Sequence, residues 1–170
     1  MKKTMIILVL VFIPLMISFS QERVQRFDYK FGIGSSLLGS GDMITAAFEN
    51  ELSYKINHYL SSSVNINYAT SNTGSNVSTS LIQSNLNLFI SPFGKSKNNI
   101  FRIGTGLSVM GVMDIYNNSH NRRTSYGYNL IIERDYQLSE NFSIGYKLFT
   151  QQYRNRDVSS GIMIKTGIRI

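Results

Sequence analysis

Apolar side chains recur at every second position from residue 27 onward, and no long stretch shows the 3.6-residue period of a helix. In the first segment, Phe27, Tyr29 and Phe31 alternate with Asp28 and Lys30. Seven further segments repeat the pattern, and their apolar members include Phe48, Ile66, Leu86, Leu107, Leu130, Ile144 and Ile164. A strand that crosses a membrane at a tilt needs about 9–11 residues, which is near the length of each segment. The pattern therefore predicts an all-β chain of eight antiparallel strands.

The seven connections between these segments differ in character. Three of them are short or turn-like, at 57–58, 91–99 and 137–140. Four are mostly longer, polar and rich in Ser, Asn and Gly, at 38–42, 69–79, 113–124 and 152–158. Short turns at one rim and longer loops at the other are typical of outer-membrane barrels. We therefore expect an eight-stranded, antiparallel, up-and-down transmembrane β-barrel with both chain ends at the rim of the short turns.

The residue types on the polar side of each strand indicate which face is inside. A soluble barrel solvates its polar face with many charges, but here that face is mainly Gly, Ser, Asn and Thr. Its charges nearly balance, with Lys30, Lys55, Arg102, Lys147, Lys165 and Arg169 against Asp28, Glu49, Glu51, Glu133 and Asp135. We expect an ion-pair network inside a polar, side-chain-filled lumen. Its expected members are Lys30, Glu49, Glu51, Arg102, Glu133, Lys147 and Lys165.

The apolar side of the strands carries almost no charge, and Arg134 is the clear exception. Arg134 lies near a strand end, where a guanidinium reaches the membrane interface at modest cost. Aromatic residues gather toward the strand ends, with Phe27, Tyr54, Phe101, Tyr136 and Phe142 at one rim and Tyr68, Tyr126 and Tyr128 at the other. Two aromatic girdles around an apolar band are typical of a lipid interface. The apolar face is therefore expected outside.

Composition narrows the classes of function. The chain has 170 residues, no Cys and 16% charged residues, whereas an average soluble domain has about 25%. The absence of Cys excludes a disulfide framework, zinc held by thiolates and a thiol nucleophile. A mean hydropathy of -0.07 argues against a bundle of membrane-spanning helices.

The first twenty residues have the layout of a secretory signal peptide. Lys2 and Lys3 precede an apolar run over 5–17, and Ser18 and Ser20 supply small residues before a cleavage site. An apolar run of about 13 residues is too short to cross the hydrocarbon core as a helix. We expect residues 1–20 to be removed and residues 21–170 to form the exported barrel domain.

With its signal peptide, four hairpins, polar lumen and final strand at the carboxy terminus, the chain resembles the small eight-stranded outer-membrane β-barrels. The resemblance is to the outer membrane protein X type and the outer membrane protein A transmembrane-domain type, and it covers residues 27–170. It implies a place in the outer membrane of a Gram-negative cell, contact with lipids including lipopolysaccharide, and insertion by the barrel-assembly machinery through the C-terminal strand. The family typically ends in an aromatic residue, whereas this chain ends in Ile170.

The candidate catalytic and metal-binding features are weak. The segment from Gly32 to Gly39 lacks the Lys-Ser/Thr ending and the helix that a phosphate loop needs. Ser119 and His120, with Glu133 further along, are the residue types of lipid A deacylases with eight-stranded barrels, but a loop gives a nucleophile and its base no fixed geometry. No metal-ligand spacing occurs, and no nucleic-acid motif accompanies the net charge of +7. We predict no catalytic residue, metal or cofactor, and no nucleic-acid partner.

The longer loops are the expected binding surface, because loops vary without disturbing the scaffold. They carry Tyr116, His120, Arg122, Arg123, Arg154 and Arg156. Arginine suits bidentate contact with phosphate. We therefore expect a monomeric, non-enzymatic outer-membrane protein whose loops contact lipid phosphate or an acidic surface polymer. A lipid-modifying outer-membrane enzyme and a soluble, lipocalin-like periplasmic carrier are the alternatives.

Overall fold

A computed structural model of the chain describes residues 27–39, 43–72, 77–93, 99–116 and 119–170, which leaves the predicted signal peptide outside the described residues. The strands are β1 (Phe27–Leu38), β2 (Met43–Lys55), β3 (Leu60–Asn72), β4 (Val77–Ile90), β5 (Asn99–Tyr116), β6 (Ser119–Gln137), β7 (Phe142–Tyr153) and β8 (Val158–Arg169). Each strand pairs antiparallel with its sequence neighbours, and β8 pairs with β1, so the sheet closes into a barrel. The predicted fold class is confirmed. Within the described ranges, no helix is long and apolar enough to cross a membrane.

Both ends of the described chain lie at one rim, which we name the terminal rim; the opposite end of the barrel is the distal rim. Asp28 of β1 pairs with Arg169 of β8. The backbone N–H of Ile170 donates to the carbonyl oxygen of Phe27 at 2.9 Å. An even number of strands requires this arrangement, as the sequence predicts.

The connections at the distal rim are shorter than expected. Most of 113–124 belongs to β5 and β6, which are 18 and 19 residues long. The expected loops at 69–79 and 152–158 shrink to 73–76 and 154–157 between strands. Outside the hydrocarbon both faces of a strand can meet water, so the apolar alternation ends while the backbone ladder continues. The prediction of long loops at this rim is therefore wrong.

The extension of the strands is uneven around the barrel. At the distal rim β5 pairs with β4 as far as Val77 and with β6 as far as Ser119. In contrast, β6 pairs with β7 only between Gly127 and Gln137. The sheet of β4, β5 and β6 therefore continues beyond the point where β6 leaves β7, and β3 pairs with β4 as far as Ser78. It carries the first four of the predicted binding residues.

The outward positions of the wall are apolar. The apolar side chains in the middle of the strands are between 38% and 57% exposed: Leu52, Ile66, Leu86, Ile103, Leu130 and Ile144. At the terminal rim the rings of Phe27 and Tyr54 lie 5.1 Å apart, and near the distal rim Tyr126 and Tyr128 are exposed. The apolar face is outside, which is the arrangement that a lipid bilayer requires.

Side chains fill the lumen, but they are not all polar. A buried apolar cluster includes Leu81, Phe89, Met110, Ile131, Phe149 and Met163. The lumen, which we expected to be polar, is therefore apolar in part. Ile131 lies between Leu130 and Ile132, so both faces of the strand are apolar there and a period-two pattern does not distinguish the inward residue.

Candidate functional site

Eight ionisable side chains meet inside the barrel, four of each sign, and none of these residues is more than 5% exposed. This lumen cluster consists of Lys30, Arg102, Lys147 and Lys165 with Glu49, Glu51, Glu133 and Asp135. Its members come from every strand except β3 and β4. The structure brings all seven predicted network residues together and adds Asp135.

Lys165 is central to the lumen cluster. Its Nζ lies 2.9 Å from Glu49 Oε1, 2.9 Å from Glu51 Oε2 and 3.0 Å from Glu133 Oε1. Lys147 reaches two of these carboxylates, with its Nζ 2.5 Å from Glu49 Oε2 and 3.7 Å from Glu51 Oε2. These contacts join β2 to β6, β7 and β8, so they hold strands together across the lumen.

Arg102 enters the lumen cluster from β5. Its Nη2 lies 2.8 Å from Glu133 Oε2 and 3.3 Å from Asp135 Oδ2. The guanidinium also lies over the ring of Phe89, 4.8 Å from the centroid. Lys30 contacts the same two carboxylates. Because a buried charge is costly unless it is paired, the equal numbers of cations and carboxylates make this arrangement possible.

Amides take the place of charges on β3 and β4. Asn85 donates to Asn65 Oδ1 at 2.6 Å and accepts from Gln151 at 3.2 Å. Asn129 donates to Asn87 Oδ1 at 2.7 Å. An amide offers both donors and acceptors, so such side chains bond to one another without a net charge. The bond between β4 and β7 spans the lumen, since these strands are not neighbours.

Three further charges of the polar face, Asp28, Lys55 and Arg169, lie at the terminal rim. Lys55 Nζ lies 3.0 Å from Asp28 Oδ2, and Arg169 Nε lies 3.3 Å from Asp28 Oδ1. Arg169 also donates to Gln137 Oε1 at 2.8 Å. These contacts fasten the last strand to β1 and to the end of β6.

At the distal rim Arg123 is bound by two carboxylates. Its Nη2 lies 3.6 Å from Asp114 Oδ2, and its Nη1 lies 3.4 Å from Asp157 Oδ2. The hydroxyl of Thr79 donates to Asp114 Oδ1 at 2.8 Å. Arg123 therefore joins β5 and β6 to the turn before β8.

The other side of β6 carries His120, Arg122, Tyr126 and Tyr128 at alternate positions, and all four are exposed. Arg154, in the turn after β7, lies over the ring of Tyr126, 5.5 Å from the centroid, and contacts its hydroxyl. Among the described residues no carboxylate forms an ion pair with Arg122 or Arg154. We name Arg122, Arg154 and Tyr126 the basic rim patch.

The remaining predicted residues do not form a catalytic site. Arg156 is exposed in the turn between β7 and β8, with a left-handed φ of 69°, and Tyr116 ends β5. Ser119 and His120 begin β6 rather than lying in a loop. Consecutive strand positions face opposite sides of a sheet, whereas a nucleophile and its base must be in contact. The described part of the chain contains no group of three or more His, Cys, Asp or Glu that could hold a metal ion.

Sequence reasoning missed the acidic partners of Arg123. Asp157 lies close in sequence to Arg154 and Arg156, and this is the one feature of the sequence that indicates a cationic partner for its carboxylate. The sequence gives no such indication for Asp114, because its position relative to Arg123 depends on the register of β5 and β6. It pairs with Asn121, which makes Arg123 its diagonal neighbour.

Neither a family model nor a curated protein matches the sequence. Among solved structures, Neisserial surface protein A (NspA) has a TM-score of 0.72 at 14% identity, over 85% of this chain and 97% of that chain. Ail, the attachment invasion locus protein of Yersinia pestis, has a TM-score of 0.64 at 9% identity, over 86% and 100%. Ail has also been solved with the heparin analogue sucrose octasulfate. The outer membrane enzyme PagL has a TM-score of 0.53 at 11% identity, over 84% and 99%.

These likenesses concern the fold, since the identities are low. The chain covers nearly the whole length of each of these structures. Its own exterior is apolar, and the charges in its lumen are paired. This chain has the fold of the small eight-stranded outer-membrane β-barrels, and with its apolar exterior it is an outer-membrane protein.

Proposed function

We propose that this protein is a non-enzymatic outer-membrane protein whose distal rim binds the phosphorylated saccharides of lipopolysaccharide. The observation that supports this proposal is that the arginines at this rim differ in their partners. Arg123 is bound by Asp114 and Asp157. Arg122 and Arg154 lie on the outward side, where no described carboxylate pairs with them.

The basic rim patch lies beside the aromatic residues that mark a membrane interface. Tyr126 and Tyr128 are exposed on the same face of β6, and Arg122 follows them toward the distal rim. Tyrosine favours this level because its ring is apolar and its hydroxyl is polar. A guanidinium binds two phosphate oxygens by parallel hydrogen bonds. The patch therefore suits a phosphate attached to a saccharide at the outer surface.

A neighbour of the same fold supports this ligand chemistry. Ail was solved with sucrose octasulfate, a heparin analogue. Sulfate and phosphate both present tetrahedral oxygens and negative charge to a guanidinium. The likeness supports an anionic saccharide as the ligand, while the residues are proposed from this chain's own geometry.

The filled lumen favours a role at the surface over a role as a diffusion pore. Eight strands enclose an interior just wide enough for side chains. Here the lumen cluster and the rings of Phe89 and Phe149 occupy it. Because large molecules cannot enter the filled lumen, the rim is the part of the protein that can bind them.

Binding of purified lipopolysaccharide to the barrel in nanodiscs of zwitterionic lipid tests the patch. Changing Arg122→Gln and Arg154→Gln together should weaken binding about 30-fold, since each surface arginine contributes about 1 kcal/mol. Arg123→Gln is the matched control, because that arginine already has two acidic partners. The affinity of the Arg123→Gln barrel for lipopolysaccharide should stay within about twofold of that of the unchanged barrel. Equal losses in the two variants, or no loss in the double variant, would contradict the proposal.

The non-enzymatic part has its own test, because PagL is an enzyme with this fold. Lipid A from cells that express the protein should keep all its acyl chains when examined by mass spectrometry. A product that lacks an acyl chain, and that disappears with His120→Ala, would make the protein a lipid A deacylase instead.

A further inference from the structure

Among the described strands, the charged side chain that faces outward near the terminal rim is that of Arg134. It is half-buried, and its Nε donates to Asn99 Oδ1 at 3.1 Å. Its guanidinium lies over the ring of Tyr136, 5.1 Å from the centroid. These two contacts orient the guanidinium. They leave its Nη1 and Nη2 without a partner among the residues that the structure describes.

Aromatic side chains frame Arg134 on the neighbouring strands. Phe101 of β5 and Tyr146 of β7 are its cross-strand partners, and Tyr136 is the next outward residue of β6. Cross-strand partners share one face of a sheet. The guanidinium is therefore surrounded by rings that suit the boundary between acyl chains and headgroups.

The distance between Arg134 and Arg122 along β6 matches the thickness of a bilayer. Arg122 and Arg134 lie twelve residues apart, at opposite ends of the apolar stretch of this strand. With a rise of about 3.3 Å per residue and a tilt of about 45°, this separation is about 28 Å along the bilayer normal. The apolar core of a bilayer is about 25–30 Å thick. The two arginines therefore lie at the headgroup levels of opposite leaflets.

We infer that Arg134 and its aromatic frame bind the phosphodiester headgroup of a glycerophospholipid in the leaflet at the terminal rim. The two unpartnered nitrogens match two phosphate oxygens. An anionic headgroup is preferred to a zwitterionic one, because a choline group brings its own cation next to the guanidinium. This site shares no residue with the basic rim patch, so its test is independent of the proposed function.

A single introduced tryptophan reports lipid contact at the site, since the chain has no Trp of its own. Phe101→Trp places the reporter across the strand pair from Arg134. Phe27→Trp places a control reporter at the same rim on β1. The barrel is reconstituted in phosphatidylcholine vesicles with a small fraction of brominated phosphatidylglycerol or brominated phosphatidylcholine, whose bromines quench tryptophan on contact.

We expect brominated phosphatidylglycerol to quench the Phe101→Trp reporter with about fivefold higher apparent affinity, the ratio that corresponds to about 1 kcal/mol per interfacial cation. The Phe27→Trp reporter should show almost no preference. Adding Arg134→Gln should abolish the preference, and Arg134→Lys should keep part of it, because lysine retains the charge without the planar fork. A preference that survives Arg134→Gln, or that is equal at both reporters, overturns the inference.

Two further measurements keep the result unambiguous. Inorganic phosphate should change the preference no more than sodium chloride of the same ionic strength does. A specific loss in phosphate would assign Arg134 to a soluble anion and overturn the lipid site. If Arg134→Gln does not fold, Asn99→Ala replaces it; loss of the bond to Nε should reduce the preference about twofold, and an unchanged preference would overturn the inference.

Discussion

The inner and outer faces of the wall are made from alternate residues of the same strands, but they carry charge in different ways. Inside, eight charged side chains are buried, and each has a partner of opposite sign within the lumen cluster. Outside, the described strands carry Arg122 and Arg134, at the two ends of the apolar stretch of β6. A cation inside needs a carboxylate beside it, whereas a cation outside needs water or a headgroup. Charge is therefore structural in the lumen and suited to binding at the rims.

Loss of a buried carboxylate should damage the inner face most. Glu133 contacts Lys30, Arg102 and Lys165, so Glu133→Gln leaves a buried positive charge unbalanced. We expect the free energy of unfolding to fall by about 3–5 kcal/mol. Urea titration in lipid vesicles measures this change. Glu140→Gln, in the exposed turn after β6, is the control and should change stability by less than about 0.5 kcal/mol.

A charge placed in the middle of the outer face should have the next largest effect. Leu130 is exposed between the two arginines of β6. Leu130→Arg should cost about 2–4 kcal/mol, because lipid surrounds that position. Thr124→Arg lies on the same face next to Arg122 and should cost at most about 1 kcal/mol. Equal costs for the two variants would show that the apolar stretch of β6 does not mark the bilayer.

Packing in the lumen should respond to a single methyl group. A Cβ at Gly104 would overlap the ring of Phe89, whereas a Cβ at Gly111 on the same strand would have nothing within 4 Å. Gly104→Ala should therefore destabilise the barrel by about 1–3 kcal/mol, since overpacking forces neighbours to shift. Gly111→Ala should not destabilise it measurably. If the two alanines behave alike, Phe89 is not packed against the wall.

The number of strands and the sides of the wall were predictable because a bilayer imposes them on every strand. Lipid selects apolar residues at alternate positions, so Leu52 and Ile66 reveal the outer face directly. The same alternation placed Lys165 and Glu133 inside, where near-equal charge predicted their pairing. Residues that meet across the lumen are far apart in sequence, but the alternation within each strand shows by itself which of its residues face inward.

Features that depend on register or on shape were not predictable. The contact of Asp114 with Arg123 requires the offset between β5 and β6. The inward position of Ile131 is hidden because its neighbours are apolar as well. Beyond the membrane, water reaches both faces of the strands, so a polar stretch such as 119–125 has the composition of a loop although it is a strand.

Single-channel recording in planar bilayers tests most directly whether this protein acts at its surfaces rather than through its lumen. The lumen cluster, the amides that meet across the lumen and the rings of Phe89 and Phe149 fill the interior. The purified barrel should insert without producing large, stable current steps, because no continuous aqueous path is expected through a filled eight-stranded barrel. Large and stable steps from the folded barrel would show that the lumen is open and would contradict the account.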